Sequence, residues 1–338
     1  MAFEPVFQTT PHLLKVLEDI SALNARIQSA TVGVSWIPAL QRDAAARQTH
    51  GSTAIEGNPL TLAEVKILAE GGHLPHAKPR AVQEVLNYFA ALRFIEKNAQ
   101  AKEVHVRDVL KLHSIIGQKG ALDREPVGLF RPYQVRVGMH LPPKASEVPG
   151  LMSQLLEWLN GAGRAWPAVV SSAILHYQFE FIHPFGDGNG RVGRALGAWQ
   201  LYRRQLDTSH IFAVDEVLLE DRQGYYRALH RAQTQANDLT GWVEYIAETV
   251  NEALERAWKR IGSVNLSPLG LQLTLTPKQE KLLCLLREND LGIQEIQNAL
   301  GVTKPGAHHI LKALLEAGLL KRVGGHKTGK YHFAAGKR

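Results

Sequence analysis

His183-Pro-Phe-Gly-Asp-Gly-Asn-Gly-Arg-Val-Gly-Arg194 separates two strongly helical patterns. Upstream, Ala168 to Ile182 is so apolar that it reads as a buried central helix; downstream, Arg191 to Leu206 resumes the helical period. Between them Pro184 and the glycines force a turn. Gly188, Asn189 and Gly190 can aim successive backbone N–H groups at one point, and the start of the next helix adds its own unpaired donors and positive dipole end. The stretch therefore reads as an anion cradle. Arg191 and Arg194 lie three apart, so both guanidiniums can reach one side and bind phosphate oxygens bidentately. Asp187 is an acceptor-only group suited to holding Mg²⁺ against such phosphates. His183, at the other end of the loop, is placed to take a proton from an incoming hydroxyl.

Helical spacing extends through most of the chain up to Ile261, which makes the body mainly α. Leu13, Leu14, Leu17 and Ile20 mark one amphipathic helix. Thr61-Leu-Ala-Glu64 is a capping box opening a short helix that Gly71 and Gly72 close. Further helices are expected over Ala81 to Lys97, Val106 to Gln118, Leu151 to Leu159, Asp221 to Ala236 and Gly241 to Ile261. Tyr133 to Val137 alternates before Gly138, which predicts a small β-hairpin, the one β element expected in the body.

The 338 residues include 39 Lys and Arg against 32 Asp and Glu, and the excess is localised. From Thr274 to Arg338 there are 11 basic and five acidic residues, while the preceding chain holds 28 and 27. The single cysteine, Cys284, excludes an intrachain disulfide framework and points to a reducing, cytoplasmic setting. No run approaches the ~18 apolar residues of a membrane helix, so no membrane partner is expected. Gly262 to Leu275 reads as a linker. From Thr276-Pro277, helical patterns over Lys278 to Arg287, Ile293 to Leu300 and Pro305 to Ala317 have the spacing of a helix-turn-helix, with a Gly301 turn. Leu319 to Val323 and Lys330 to Phe333 read as strands joined by a basic wing, so the module resembles a winged helix. Thr303, Lys304, His308 and His309, with Arg322, Lys327 and Lys330, are the expected DNA-facing residues, while winged helices also serve as protein-docking modules and that reading stays open.

His183, Phe185, Asp187, Gly188, Asn189, Gly190, Arg191 and Arg194 fill every specified position of His-x-Phe-x-Asp/Glu-Gly-Asn-Gly-Arg-x-x-Arg, and the loop resembles this signature of the Fic family. Gly128-x-Phe-Arg131 and Leu141-Pro-Pro143 look like the family's flap, and the resemblance runs from about Thr9 to Ile261. It implies a Fic-type helical core and an ATP-dependent enzyme that moves AMP from Mg·ATP to a Ser, Thr or Tyr hydroxyl of a protein or of itself. His183 would be the general base, Asp187 the metal ligand, and Gly188, Asn189, Gly190, Arg191 and Arg194 the phosphate-binding groups. Phe185 would anchor the loop. Members that phosphorylate carry Lys where Gly190 stands, which favours AMP transfer here.

Ser52-Thr-Ala-Ile-Glu56-Gly57 resembles the family's inhibitory motif, Ser/Thr-x-x-x-Glu-Gly/Asn. On a helix Ser52 and Glu56 share a face, and the resemblance implies that Glu56 neutralises Arg194. The expected organisation is an N-terminal helical region carrying this motif (1–100), a catalytic core (101–261), a linker (262–275) and a winged helix (276–338). Besides a protein substrate and DNA, a second copy in a homodimer is an expected partner. Two other functions remain open: removal of AMP with Glu56 activating water, and a DNA-binding regulator with a nucleotide-sensing body.

Overall fold

A computed structural model describes residues 3–29, 37–123, 126–204, 206, 210–235, 238–264, 276–288, 290–316, 320–323 and 329–333. The chain divides into two compact units, Met1–Lys259 and Arg260–Arg338.

The body runs through α1 (Pro11–Ser29), α2 (Ile37–Ile55), α3 (Leu62–Ala69), α4 (Pro79–Lys97), α5 (Val106–Ile116), α6 (Val148–Asn160), α7 (Ala168–Ile182), α8 (Asn189–Arg203), α9 (Val214–Glu220), α10 (Arg222–Thr234) and α11 (Thr240–Val264). Of the 15 residues in each of α7 and α8, 12 and 13 are buried, so both lie inside the bundle rather than on it. That enclosure explains why α7 shows no amphipathic stripe. The two helices meet where Ser172 Oγ donates to the Gly197 carbonyl at 2.9 Å. Trp242 Nε1 donates to the Ala173 carbonyl at 2.7 Å, tying α11 to the same pair.

The Thr61 capping box forms as expected, with Glu64 N donating to Thr61 Oγ1 and Glu64 Oε2 accepting from Thr61 N at 2.7 Å. α8 starts at Asn189, two residues before the sequence pattern, because Gly188 takes a left-handed conformation at φ +80° and turns the chain into the helix early. α2 and α9, not separately read in the sequence, pack face to face. Gln48 Oε1 accepts from Asp215 N at 3.1 Å, and Arg47 Nη1 pairs with Glu216 Oε1 at 2.6 Å. Gly51 makes this contact possible, since a Cβ there would overlap the Asp215 carbonyl.

The expected hairpin needs correction. Val137 and His140 exchange both backbone hydrogen bonds, at 3.0 and 2.9 Å, around Gly138 at φ +56°, but no ladder continues from this bridge. Pro142 and Pro143 on the returning limb have no N–H to donate. Side chains replace the ladder: Gln134 Nε2 donates to the Pro142 carbonyl at 2.8 Å and Arg131 Nη2 to that of Pro143 at 2.6 Å.

The second unit contains α12 (Pro277–Glu288), β1 (Leu291–Gly292), α13 (Ile293–Leu300), α14 (Lys304–Glu316), β2 (Leu320–Val323) and β3 (Lys330–Phe333). Its antiparallel sheet has the order β1-β3-β2, with Leu320 opposite Phe333 and Leu291 opposite Tyr331. Leu282, Ile296, Leu311, Leu314 and Tyr331 fill a core of its own. Gly301 ends α13 at φ +59° and supplies the turn into α14. This is the expected winged-helix arrangement; β1, two residues long, is too short to show an alternating pattern. α11 runs three residues into the expected linker, whose remainder lies outside the described residues, as does Lys327.

Gly51→Ala should destabilise the body by about 1–3 kcal/mol, because the methyl group meets backbone that must move. Urea unfolding of the full chain checks this; an unchanged midpoint would rule out the tight α2–α9 contact.

Candidate active site

α7 ends at His183, which holds a left-handed conformation at φ +47° before Pro184 prevents any continuation of the helix. Such a conformation is strained for a side-chain-bearing residue and must be held by its surroundings. His183 N donates to the Phe179 carbonyl at 2.9 Å, and the His183 carbonyl accepts from Arg131 Nε at 2.8 Å. Arg131 is 2% exposed and also donates to the Tyr133 and Pro143 carbonyls, while its backbone N–H donates to Pro184. One guanidinium thus fastens the segment containing the Val137–His140 turn to the end of α7.

The loop itself is closed by Asn189, whose amide oxygen accepts from Phe185 N and whose amide nitrogen donates to Phe185 O, both at 2.9 Å. The Asn189 side chain is therefore committed to the loop's own backbone, and what it can offer an anion is its N–H. Phe185 is fully buried, as expected, and stacks on His113 with centroids 3.7 Å apart and planes within 2°. His113 in turn accepts from Gly128 N at Nδ1 (2.8 Å) and donates from Nε2 to the Asp187 carbonyl (3.1 Å). These two bonds require a neutral ring. Burial supplies it, pushing His113 down to about 4.

Around this frame the candidate residues converge. No side chain caps α8, so the N–H groups of its first turn remain available beside the loop. Asp187 is partly exposed; its Oδ2 accepts from Asp123 N at 2.8 Å, its Oδ1 from Gly188 N at 2.6 Å, and Arg191 Nη2 stands 3.5 Å from Oδ1. Arg191 is 5% exposed, and its Nε and Nη1 have no hydrogen-bond partner among the described residues. Arg194 is 2% exposed and meets the end of α2: Nε donates to Ser52 Oγ at 2.9 Å, Nη2 to the Ser52 carbonyl at 2.9 Å and to Glu56 Oε1 at 2.8 Å. Asp215 Oδ2 lies 3.8 Å from the same Nε. Glu56 stands just past the end of α2, in a turn closed by Gly57 at φ +93°. Its carboxylate covers Gly190, where a Cβ would overlap Glu56 Oε1.

Burial first, and then the positive charge of Arg131, lower His183 to about 4, so its ring is neutral and able to accept a proton at pH 7. Glu180, one turn before His183, is raised to about 8 by burial, with Arg194 acting against the rise and Glu56 adding to it. His176 is lowered to about 3 by burial and the charge of Arg194.

In the second unit, Thr303, Lys304, His308 and His309 are all exposed at the start of α14; Arg322 and Lys330 are exposed on β2 and β3, with Arg322 5.9 Å from the Tyr331 ring centroid. Sequence reasoning missed His113, which sits in an ordinary helical pattern, and Asp215, whose short helix was not read. Arg131 was quoted only as part of a flap, and Glu180 had one signal, a lone carboxylate in an apolar run.

Fold and loop together define a helical domain built around a glycine-rich turn at a buried helix N-terminus. Residues 103–201 match the Fic/DOC family and residues 282–324 the IclR helix-turn-helix domain. The chain is 30% identical over 249 residues to the protein adenylyltransferase fic-1 of Caenorhabditis briggsae, a match covering 72% of this chain and 46% of that relative. It spans less than half the length of the curated relatives it matches. The crystal structure of a Fic family protein from Desulfovibrio desulfuricans G20 superposes with a TM-score of 0.69 at 27% identity, covering 99% of this chain and 100% of that one. Fic-1 from C. elegans superposes with a TM-score of 0.64 at 25% identity over 74% of this chain and 73% of that one. The body carries a domain of the Fic/DOC family, followed by a winged helix-turn-helix.

The buried histidines give stability a pH dependence of known sign. His113, His176 and His183 have folded values near 4, 3 and 4 against an ordinary 6.5, so below pH 6.5 only the unfolded chain takes up their protons. Stability present above pH 6.5 should fall as pH drops toward 4, each histidine contributing up to about 1.4 kcal/mol per pH unit. Glu180, raised from 4.5 to about 8, acts in the opposite sense between those values. Urea titrations at pH 7 and 4.5 check the net loss, which His113→Phe should lessen by roughly one proton's share.

Proposed function

We propose that this chain is an ATP-dependent protein adenylyltransferase, moving AMP to a Ser, Thr or Tyr hydroxyl of a target protein or of itself, and that Glu56 restrains it. The observation that carries this reading is a neutral His183 at one end of a loop whose other end offers an uncapped helix N-terminus and the partner-poor guanidinium of Arg191. Those are the parts an in-line attack on an α-phosphorus needs: a base, and donors for the phosphate oxygens. The relatives' adenylyltransferase names support the same reaction class.

The nucleotide's phosphates would lie against the N–H groups of Asn189 and Gly190 and against Arg191, with the γ-phosphate on Arg194; Gly188, whose own N–H donates to Asp187 Oδ1, would supply the turn that aims them. His183 accepts the hydroxyl proton. Magnesium fits Asp187, an acceptor-only carboxylate beside the cradle, and when bound supplies charge neutralisation at the phosphates. Among the described residues no three His, Cys, Asp or Glu gather to hold a metal by themselves, so the remaining ligands would be phosphate oxygens and water. Glu56 takes the Arg194 Nη2 donor and covers Gly190, and a γ-phosphate would need both. A charge-assisted bond of this kind contributes roughly 1.5–3 kcal/mol, or about 10- to 150-fold in the productive ATP pose.

We infer also that the second unit binds duplex DNA. Thr303 just before α14, Lys304 and His308 on it, and Arg322 and Lys330 on the strands of the same unit support this through their exposure and charge. None of the described helices is long and apolar enough to cross a membrane.

Glu56→Gly should raise self-labelling from α-labelled ATP by at least about tenfold, and Arg194→Ala, which also removes the phosphate clamp, should not. His183→Ala in the Glu56→Gly background should lose about 10²- to 10⁴-fold while still binding ATP. Near-normal labelling by that variant would refute the assigned base. Asp187→Ala should change the magnesium dependence of labelling; an unchanged dependence would remove it as the ligand.

DNA affinity of the full chain should fall with salt, and Lys304→Ala and Lys330→Ala should each reduce the log–log slope by about one unit. Absence of any shift with duplex DNA at low salt would exclude this partner.

A further inference from the structure

Glu180 is the only carboxylate of α7 and is 7% exposed. Its Oε1 has no hydrogen-bond partner among the described residues, a costly state for a buried acid. Yet the facing helix makes room for it: a Cβ at Gly193 would overlap Glu180 Oε1. Its other oxygen, Oε2, lies 3.8 Å from Nδ1 of His183, a buried ring nitrogen that no side chain hydrogen-bonds. An apolar residue would fill this space without the desolvation penalty, so the acid is better explained by what it does for its neighbour than by packing.

We propose that Glu180 is a positioning residue for His183: its carboxyl holds the Nδ1 edge of the imidazole so that Nε2 meets the reacting hydroxyl, and it compensates the charge that the ring acquires with the proton. The inference rests on the AMP-transfer reading of the loop. In that reaction the hydroxyl proton passes to His183 Nε2 and the hydroxyl oxygen bonds to the α-phosphorus. The bond from phosphorus to the bridging oxygen breaks, and its electron pair leaves on pyrophosphate. His183 then carries N–H on both nitrogens, and the Nδ1 proton faces Glu180 Oε2, about 1 Å short of hydrogen-bond distance.

Two charges act on Glu180 besides burial: Arg194 on α8 favours the ionised form and Glu56 beyond α2 opposes it. The other titratable groups facing it, Tyr225 on α10 and His176 one turn earlier on α7, are both neutral near pH 7, the phenol raised and the imidazole lowered by burial. Burial leads, placing Glu180 at about 8, while His183 stays neutral down to about 4. Near neutral pH the neighbour is thus mainly a neutral acid, and above pH 8 mainly a carboxylate, which compensates an imidazolium far better.

Two readouts test this. In the full chain with ¹⁵N-labelled histidine, His183 being assigned through His183→Ala, the His183 ring nitrogens should show an inflection near pH 8 that disappears in Glu180→Gln. No inflection in the parent protein, or one that survives the substitution, overturns the coupling. Should Glu180→Gln fail to fold, Gly193→Ala, which displaces the carboxyl, should abolish the inflection in the same way. In the Glu56→Gly background, the self-labelling kcat should rise several-fold from pH 7 to 9 with Glu180 present and stay level with Glu180→Gln, the KM for ATP being unchanged. Parallel profiles, or an effect on KM alone, overturn the positioning role. If the Glu56→Gly protein incorporates no label at any pH, AMP transfer is refuted, and the nitrogen titration still decides whether Glu180 and His183 act as a pair.

Discussion

A guanidinium in the middle of a helical bundle has lost its water and must be met by protein on every side. Arg194 is that group: its Nε and Nη2 are met by protein, its Nη1 has no hydrogen-bond partner among the described residues, and its needs organise the body. Because it sits on α8 at 2% exposure, the end of α2 has to arrive with the Ser52 hydroxyl, the Ser52 carbonyl and the Glu56 carboxylate, and the start of α9 with Asp215. α2 and α9 can both reach it only because Gly51 lets their backbones touch. The restraint in the proposed function is therefore not an added device. It is one of the interactions that compensate the buried charge, and a phosphate could replace the carboxylate in kind.

The loop beside Arg194 is held just as firmly, but through bonds to its neutral backbone groups. Asn189 ties both amide atoms to Phe185, the His113 ring stacks on Phe185 while bonding the backbone at 128 and 187, and Arg131 collects carbonyls from the end of α7 and from the segment that returns through Pro143. These contacts leave the loop little freedom to rearrange. The groups they leave unspent are the first-turn N–H donors of α8, the Arg191 guanidinium and the His183 ring. A preorganised set of donors is what electrostatic stabilisation of a reacting phosphate requires.

The amino-acid sequence by itself determined the things that depend on neighbours along the chain. Helix periods, the Thr61 capping box, the Gly301 turn and the glycine-rich loop all follow from spacings of a few residues, and the Ser52–Glu56 spacing already put both groups on one face. The tertiary structure decided whatever depends on partners distant in sequence. It shortened the expected hairpin to one bridge, because Pro142 and Pro143 have no N–H to donate to a ladder and Arg131 and Gln134 took their carbonyls. It gave Asn189's side chain to Phe185, brought to the site His113 from an expected helix that showed no functional signal and Asp215 from a helix not read in the sequence, and set Glu180 beside His183 in the space Gly193 leaves. Periodicity tells which face of a helix is buried, but not which group will meet it. Burial and charge compensation, which set the protonation of His183 and Glu180, exist only once separate helices have closed around them.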